Sequence, residues 1–145
     1  MADANVRTYD PKRVIATFGA VILNGFAEGT FISIAGNGDK FEKVRGADGG
    51  IDRVNKNAND YSITFTLKQT SLANASLSAV LTADQTSNTG KFPLTIKDLN
   101  GTTLFFAALA WIAKDPDDEF SDSMSNREWR IDTGIAEKLT GGNLT

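Results

Sequence analysis

The chain has 145 residues, 41% hydrophobic and 23% charged, enough for one globular domain whose core needs no covalent staples. It contains neither Cys nor His, which removes disulfides, thiolate metal sites, thiol nucleophiles and the side chain best suited to proton transfer near neutral pH. Most hydrolase triads fall with them, and a net charge of −3 without a basic cluster argues against a stable grip on nucleic acid.

The first ten residues read as a polar N-terminal arm. They lack the apolar core of a secretory signal, which predicts a cytoplasmic protein. No run of about 18 apolar residues follows, so no membrane-spanning helix is expected. Short apolar runs at 13–18 and 20–23, split by Gly19, and at 30–35, between Gly29 and Gly36, read as strands.

Residues 36–60 form a long, charged connection rich in glycine, longer than compact domains usually tolerate. Within it Phe41-Glu42-Lys43-Val44-Arg45 and Ile51-Asp52-Arg53-Val54 alternate like strands around a turn at 46–50. The pattern predicts a projecting β-hairpin, a ribbon that is marginal alone in water and gains stability when another chain covers it.

Residues 61–68 give the clearest strand, with Tyr61, Ile63, Phe65 and Leu67 on one face and Ser62, Thr64, Thr66 and Lys68 on the other. From 71 to 85 the apolar residues Ala73, Leu77, Val80 and Leu81 repeat at helical spacing. Ser71 is a candidate N-cap, and residues 88–90 are a stop. Strands at 92–97 and 102–106 flank Asp98-Leu99-Asn100-Gly101, where Asn-Gly predicts a tight hairpin turn. Residues 107–114 extend the sheet around Trp111. Residues 126–133 alternate again, with Trp129 and Ile131 opposite Glu128, Arg130 and Asp132. About nine strands with one helix predict a mainly β barrel or sandwich of two packed antiparallel sheets, the helix on its flank. Residues 137–145 read as a polar tail.

No constellation carries chemistry. Gly36-Asn37-Gly38-Asp39-Lys40 lacks the spacing and the ending of a phosphate-binding loop. Asp115-Pro116-Asp117-Asp118-Glu119 lacks calcium-loop spacing and reads as an acidic, solvent-facing turn. Asp117, Glu119 and Glu128 are carboxylates without the surroundings of a glycosidase pair. Residues 115–145 hold eight Asp/Glu against three Lys/Arg, whereas residues 1–60 are balanced. Most aromatic side chains are assigned to the core; Phe120 and Met124, in a polar stretch, are candidates for an interface.

Several short stretches, in order, resemble a known family. They are Tyr9-Asp10-Pro11-Lys12, Thr17-Phe18-Gly19, Gly25-Phe26-Ala27 and Gly29-Thr30-Phe31-Ile32. Phe41, Lys43, Gly46, Asp48-Gly49 and Arg53 follow, then Ile96-Lys97-Asp98-Leu99 with Gly101-Thr102-Thr103 and Ala110-Trp111-Ile112. Pro116-Asp117 and Asn126-Arg127-Glu128-Trp129 complete the set. Together they resemble the tail tube proteins of contractile-tailed phages, from Tyr9 to about Gly134. The resemblance implies a β-barrel with a flanking helix, in hexameric rings stacked into a hollow tube inside a sheath. DNA would pass through the lumen without stable binding. It implies a virion protein assembled in the bacterial cytoplasm, with itself, the sheath, the tip or baseplate and the terminator as partners, and no catalytic residues, cofactor or metal.

The family's long loop touches the adjacent ring, which assigns that role here to Phe41, Lys43, Arg45, Asp48, Asp52, Arg53 and Lys56. A polar strand face is expected to line the lumen. Ser62, Thr64, Thr66 and Lys68 form one candidate face, and Glu128, Arg130 and Asp132 form another; the sequence does not choose between them. The alternatives are another ring-forming protein of a tail or secretion system, and a non-catalytic β-sandwich binding module.

Overall fold

A computed structural model describes residues 6–143. A single 3-10 turn, Pro11–Arg13, is opened by Asp10, whose side chain accepts from the Lys12 N–H at 2.9 Å. The elements that follow are β1 (Val14–Phe18), β2 (Val21–Leu23), β3 (Ile32–Gly36), β4 (Phe41–Arg45), β5 (Ile51–Asn55) and β6 (Tyr61–Lys68). Then come α1 (Ala73–Ser87), β7 (Phe92–Asp98), β8 (Leu104–Lys114), β9 (Asn126–Thr133) and β10 (Ala136–Leu139).

Eight strands form one antiparallel sheet in the order β2-β1-β7-β8-β9-β6-β3, with β10 beside the first half of β8. The other two, β4 and β5, pair only with each other. Strand β8 carries the bend. Its register slips by one residue against β7 between Ala107 and Ala110, and again against β9 between Ile112 and Lys114. Bulges of this kind kink and twist a strand, and the sheet folds over so that its halves face each other. Tyr61 on β6 thus meets Phe105 on β8 edge-on, ring centroids 5.3 Å apart, although β9 separates the two strands in the sheet.

Between the halves lies one core. Phe18, Leu94 and Phe105 come from one side, Ile63, Phe65, Leu67, Trp129 and Ile131 from the other, all at most 2% exposed. Each such side chain stabilises the fold by roughly 1.5–3 kcal/mol on burial. Helix α1 adds the fully buried Leu77, and the Trp129 Nε1–H donates to Asn74 Oδ1 at 2.9 Å, tying helix to sheet.

The mainly β expectation, with two antiparallel sheets and one helix, holds, but the barrel is not closed. Strands β2 and β3 remain edges, and a cleft of about 440 Å³ opens between Ile32 and Ile34 of β3 and Val14, Ile96 and Phe105 of β1, β7 and β8. Other boundaries shift for local reasons. The helix starts at Ala73, two residues beyond the predicted Ser71. Ser71 Oγ donates to the Asn24 carbonyl and accepts from the Ala73 N–H, while Leu72 holds the cap position without a side-chain bond. Gly25, at φ +69, approaches Ser71 so closely that a Cβ there would lie 2.7 Å from its hydroxyl. The turn after β7 is held by Asp98, whose side chain accepts from the Asn100 N–H at 3.0 Å. Neither Asn100 nor Gly101 adopts positive φ, so the tight turn predicted from Asn-Gly is replaced. The predicted strands 102–106 and 107–114 are one strand, and part of the predicted polar tail is β10.

Candidate assembly surfaces

Four surfaces stand out once the core is subtracted. The first is the β4–β5 ribbon, all of whose strand residues are exposed. Directly paired residues point to the same side of a ribbon. The register Phe41↔Asn55, Lys43↔Arg53 and Arg45↔Ile51 therefore places three cations with Phe41 and Ile51 on one face. The pairs Glu42↔Val54 and Val44↔Asp52 occupy the other. Two contacts agree: the Arg53 guanidinium lies 4.4 Å from the Phe41 ring centroid, and Lys56 pairs with Glu42 at 3.0 Å. Asp48 sits in the turn, accepting from the Gly50 N–H. At its root Lys40 Nζ donates to the Tyr61 hydroxyl at 2.8 Å and to the Ala58 carbonyl.

The second is the outer face of β3, β6 and β9. Strand β6 pairs with β9 as Ser62↔Asp132, Thr64↔Arg130, Thr66↔Glu128 and Lys68↔Asn126. The two polar sets read from the sequence as alternatives are one continuous surface. Its charges, Lys68 and Arg130 against Glu128 and Asp132, balance. Arg130 Nε lies 3.4 Å from Asp132 Oδ1, a partly exposed pair worth about 0–1 kcal/mol.

The third lies on the other half of the sheet. Ile15, Ile22, Leu104, Phe106 and Leu139 point away from the core on β1, β2, β8 and β10, between 39% and 68% exposed, with Thr95 and Lys97 of β7 standing between Ile15 and the β8 pair. Leu104 and Leu139 are directly paired, and large apolar side chains gathered on one exposed face mark contact surfaces. Assigning aromatic and aliphatic residues to the core misses this patch. The available signal was parity: Ile15 alternates out of phase with Val14, Ala16 and Phe18, and Phe106 with Phe105 and Ala107.

The fourth is the acidic loop between β8 and β9. Arg127, buried at the start of β9, anchors it. Its Nε lies 3.0 Å from Asp118 Oδ1, one terminal nitrogen donates to Ser125 Oγ at 2.7 Å, and the other donates to the Glu119 carbonyl. Phe120 and Met124 in this loop are exposed. Among the described residues no three carboxylates converge to hold a metal ion.

Comparisons with known proteins bear on the kind of protein that carries these surfaces. Residues 14–141 match the family described as Bacteriophage PhiTE tail tube protein. The chain belongs to that tail tube family. A relative at 34% identity over 123 residues, covering 83% of this chain and 71% of its own, is "Structural protein ORF10" of Pseudomonas phage KPP10. Solved structures show the same fold at low identity. The tube-terminating cap of the anti-feeding prophage superposes with TM-score 0.65 at 16% identity, over 97% of this chain and 96% of its own. A chain of the PVC extracellular contractile injection system, from its extended sheath–tube complex, gives TM-score 0.60 at 14% identity over 91% of each chain. The tail tube resemblance read from the sequence therefore stands.

Proposed function

We propose that this chain is the repeating, non-catalytic subunit of a phage tail tube. Six copies close a ring, rings stack into a hollow rod inside a contractile sheath, and DNA leaves through the bore. The observation that carries this reading is the division of one sheet's outer surface into a charge-balanced polar half and a half that exposes Ile15, Ile22, Leu104, Phe106 and Leu139. A ring subunit needs apolar surface toward its neighbours, roughly 800 Å² per partner for a stable contact, and a hydrated wall toward a water-filled bore. In this reading Ser62, Thr64, Thr66, Lys68, Glu128, Arg130 and Asp132 line the lumen, and their balanced charge lets DNA pass without gripping it. The Ile15–Phe106 surface meets the neighbouring subunits, and the ribbon, from Phe41 to Lys56, reaches the next ring.

The fold shared with tube and terminator chains of contractile systems supports a sheath, a terminator and a tip or baseplate as further partners. The assembled protein then resides in the virion, after assembly in the bacterial cytoplasm. Negative-stain microscopy of the purified chain tests the reading: rods or stacked six-membered rings are expected. Single rings that never stack would reassign the protein to a terminator-like role. A compact monomer at high concentration would end the proposal.

A further inference from the structure

The ribbon joins the sheet at its root, and the contacts there set where its turn points. Among the described residues β4 and β5 pair only with each other. The chain enters through residues 37–40 and returns through 56–60, with five-residue strands beyond. At about 3.4 Å per residue each strand reaches roughly 17 Å, so a small change of angle at the root becomes a displacement of ångströms at the turn. An unsupported two-stranded ribbon is marginal in water, and one that swings must be ordered before it can make any contact.

The root is closely tied. Lys40, the last residue before β4, turns its side chain back to the sheet. Its Nζ donates to the Tyr61 hydroxyl at 2.8 Å and to the Ala58 carbonyl, and lies 4.5 Å from the Tyr61 ring centroid. Its own carbonyl accepts from the Lys56 N–H at 3.0 Å, so one residue belongs both to the ribbon and to the joint. Tyr61 is a fixed point: it is 5% exposed, stands edge-on to Phe105, and donates its N–H to Thr133 Oγ1. The flanking segments are held as well. The Asn59 carbonyl accepts from the Ala136 N–H at 2.8 Å, and Asn37 Nδ2 donates to Asp60 Oδ2 and Ser62 Oγ, each at 3.2 Å. Among the described residues no carboxylate pairs with Lys40. Both its acceptors are neutral oxygens, and a hydrogen bond with one charged member is stronger than one between neutral groups. By contrast, Lys56 pairs with Glu42 and Arg53 lies on Phe41, contacts within the ribbon itself.

We infer that Lys40 is the positioning residue of the ribbon: by bridging Tyr61 and Ala58 it fixes the ribbon's angle to the sheet within the isolated subunit, before a second copy is met. The alternating pattern alone leaves the ribbon dependent on a covering chain, whereas the root contacts give it a stance of its own. A preorganised element avoids the ordering cost that association otherwise carries, so losing the stance impairs assembly and spares folding. The consequence for rod growth rests on the tube reading above; the stance itself is a property of the single subunit.

The test uses the full chain, whose lack of cysteine lets Ala47→Cys/Glu128→Cys carry two spin labels, one in the ribbon's turn and one on the sheet. In the dilute chain the distribution of distances between them should be narrow. Lys40→Met keeps the aliphatic stem and removes the donor; Tyr61→Phe keeps the ring against Phe105 and removes the acceptor. Each should widen the distribution at least about twofold, and the two combined should widen it no further, because they break one contact. The urea midpoints of both should stay close to the parent's. In unlabelled chains each substitution should raise the concentration needed for rod growth at least about threefold. A broad distribution in the parent, a narrow one that survives both substitutions, or widened distributions with growth equal to the parent's would each overturn the inference. A parent chain that never forms rods, with the distances behaving as stated, defeats the tube reading and leaves the positioning role of Lys40 in place.

Discussion

The two halves of the bent sheet bury the same kind of core and present opposite surfaces. On β6 and β9 the outward positions are Ser, Thr and paired charges. On β1, β2, β8 and β10 they include Ile, Leu and Phe. The inward pattern folds the chain, whereas the outward pattern decides what the fold meets. The contrast is sharpest at Phe105 and Phe106, consecutive on β8, one 1% exposed in the core and the other 42% exposed on the outer face. Folding alone gives no reason for the second phenylalanine, and the proposed ring supplies one in a neighbouring subunit.

That comparison can be broken by substitution. The largest effect is expected from Phe106→Asp, which sets a carboxylate in the apolar surface. Rings and rods should be lost in sedimentation velocity, while the melting midpoint of the dilute chain stays within a few degrees of the parent. Next comes the truncation of its neighbour. Phe105→Ala should destabilise the dilute chain by about 3–5 kcal/mol in urea titration, against about 0.5 kcal/mol or less for Phe106→Ala. Equal losses at the two positions would erase the distinction between core and contact face. Asn74→Ala removes the acceptor of the buried Trp129 Nε1–H and should cost about 1–3 kcal/mol in the same titration. The smallest effect belongs to the polar half: Arg130→Ala should change stability by no more than about 1 kcal/mol and leave rod formation seen by microscopy unaltered.

What the sequence discloses follows the same division. Period-two alternation made β6 legible, because Tyr61, Ile63, Phe65 and Leu67 all face one core. The ribbon was legible because two charged, alternating runs surround a glycine-rich turn. The register between β6 and β9 was not, since it depends on which distant strands become neighbours. The sequence therefore offered as alternatives two residue sets that form one face. Strand β8 concealed its outer face because its bulges break the alternation: Ala108 and Leu109 are both exposed, next to the outward Phe106. Strand β10 has little apolar signal of its own, and its pairing with residues 104–107 of β8 is non-local. Local chemistry likewise hid the turn at Asp98, where a side-chain acceptor does what Asn-Gly was expected to do.

The absence of cysteine makes one measurement direct. Thr64→Cys and Phe106→Cys each place a single thiol, one on the polar half and one on the apolar half. Their labelling rates can be compared in dilute chain and in assembled rods, with a small maleimide and with one coupled to a bulky protein. Assembly should shield position 106 from both reagents, while position 64 should stay open to the small one and close to the bulky one. A thiol at 106 that reacts in rods as fast as in the dilute chain, or one at 64 that the bulky reagent reaches freely in rods, would contradict the assignment of the two faces.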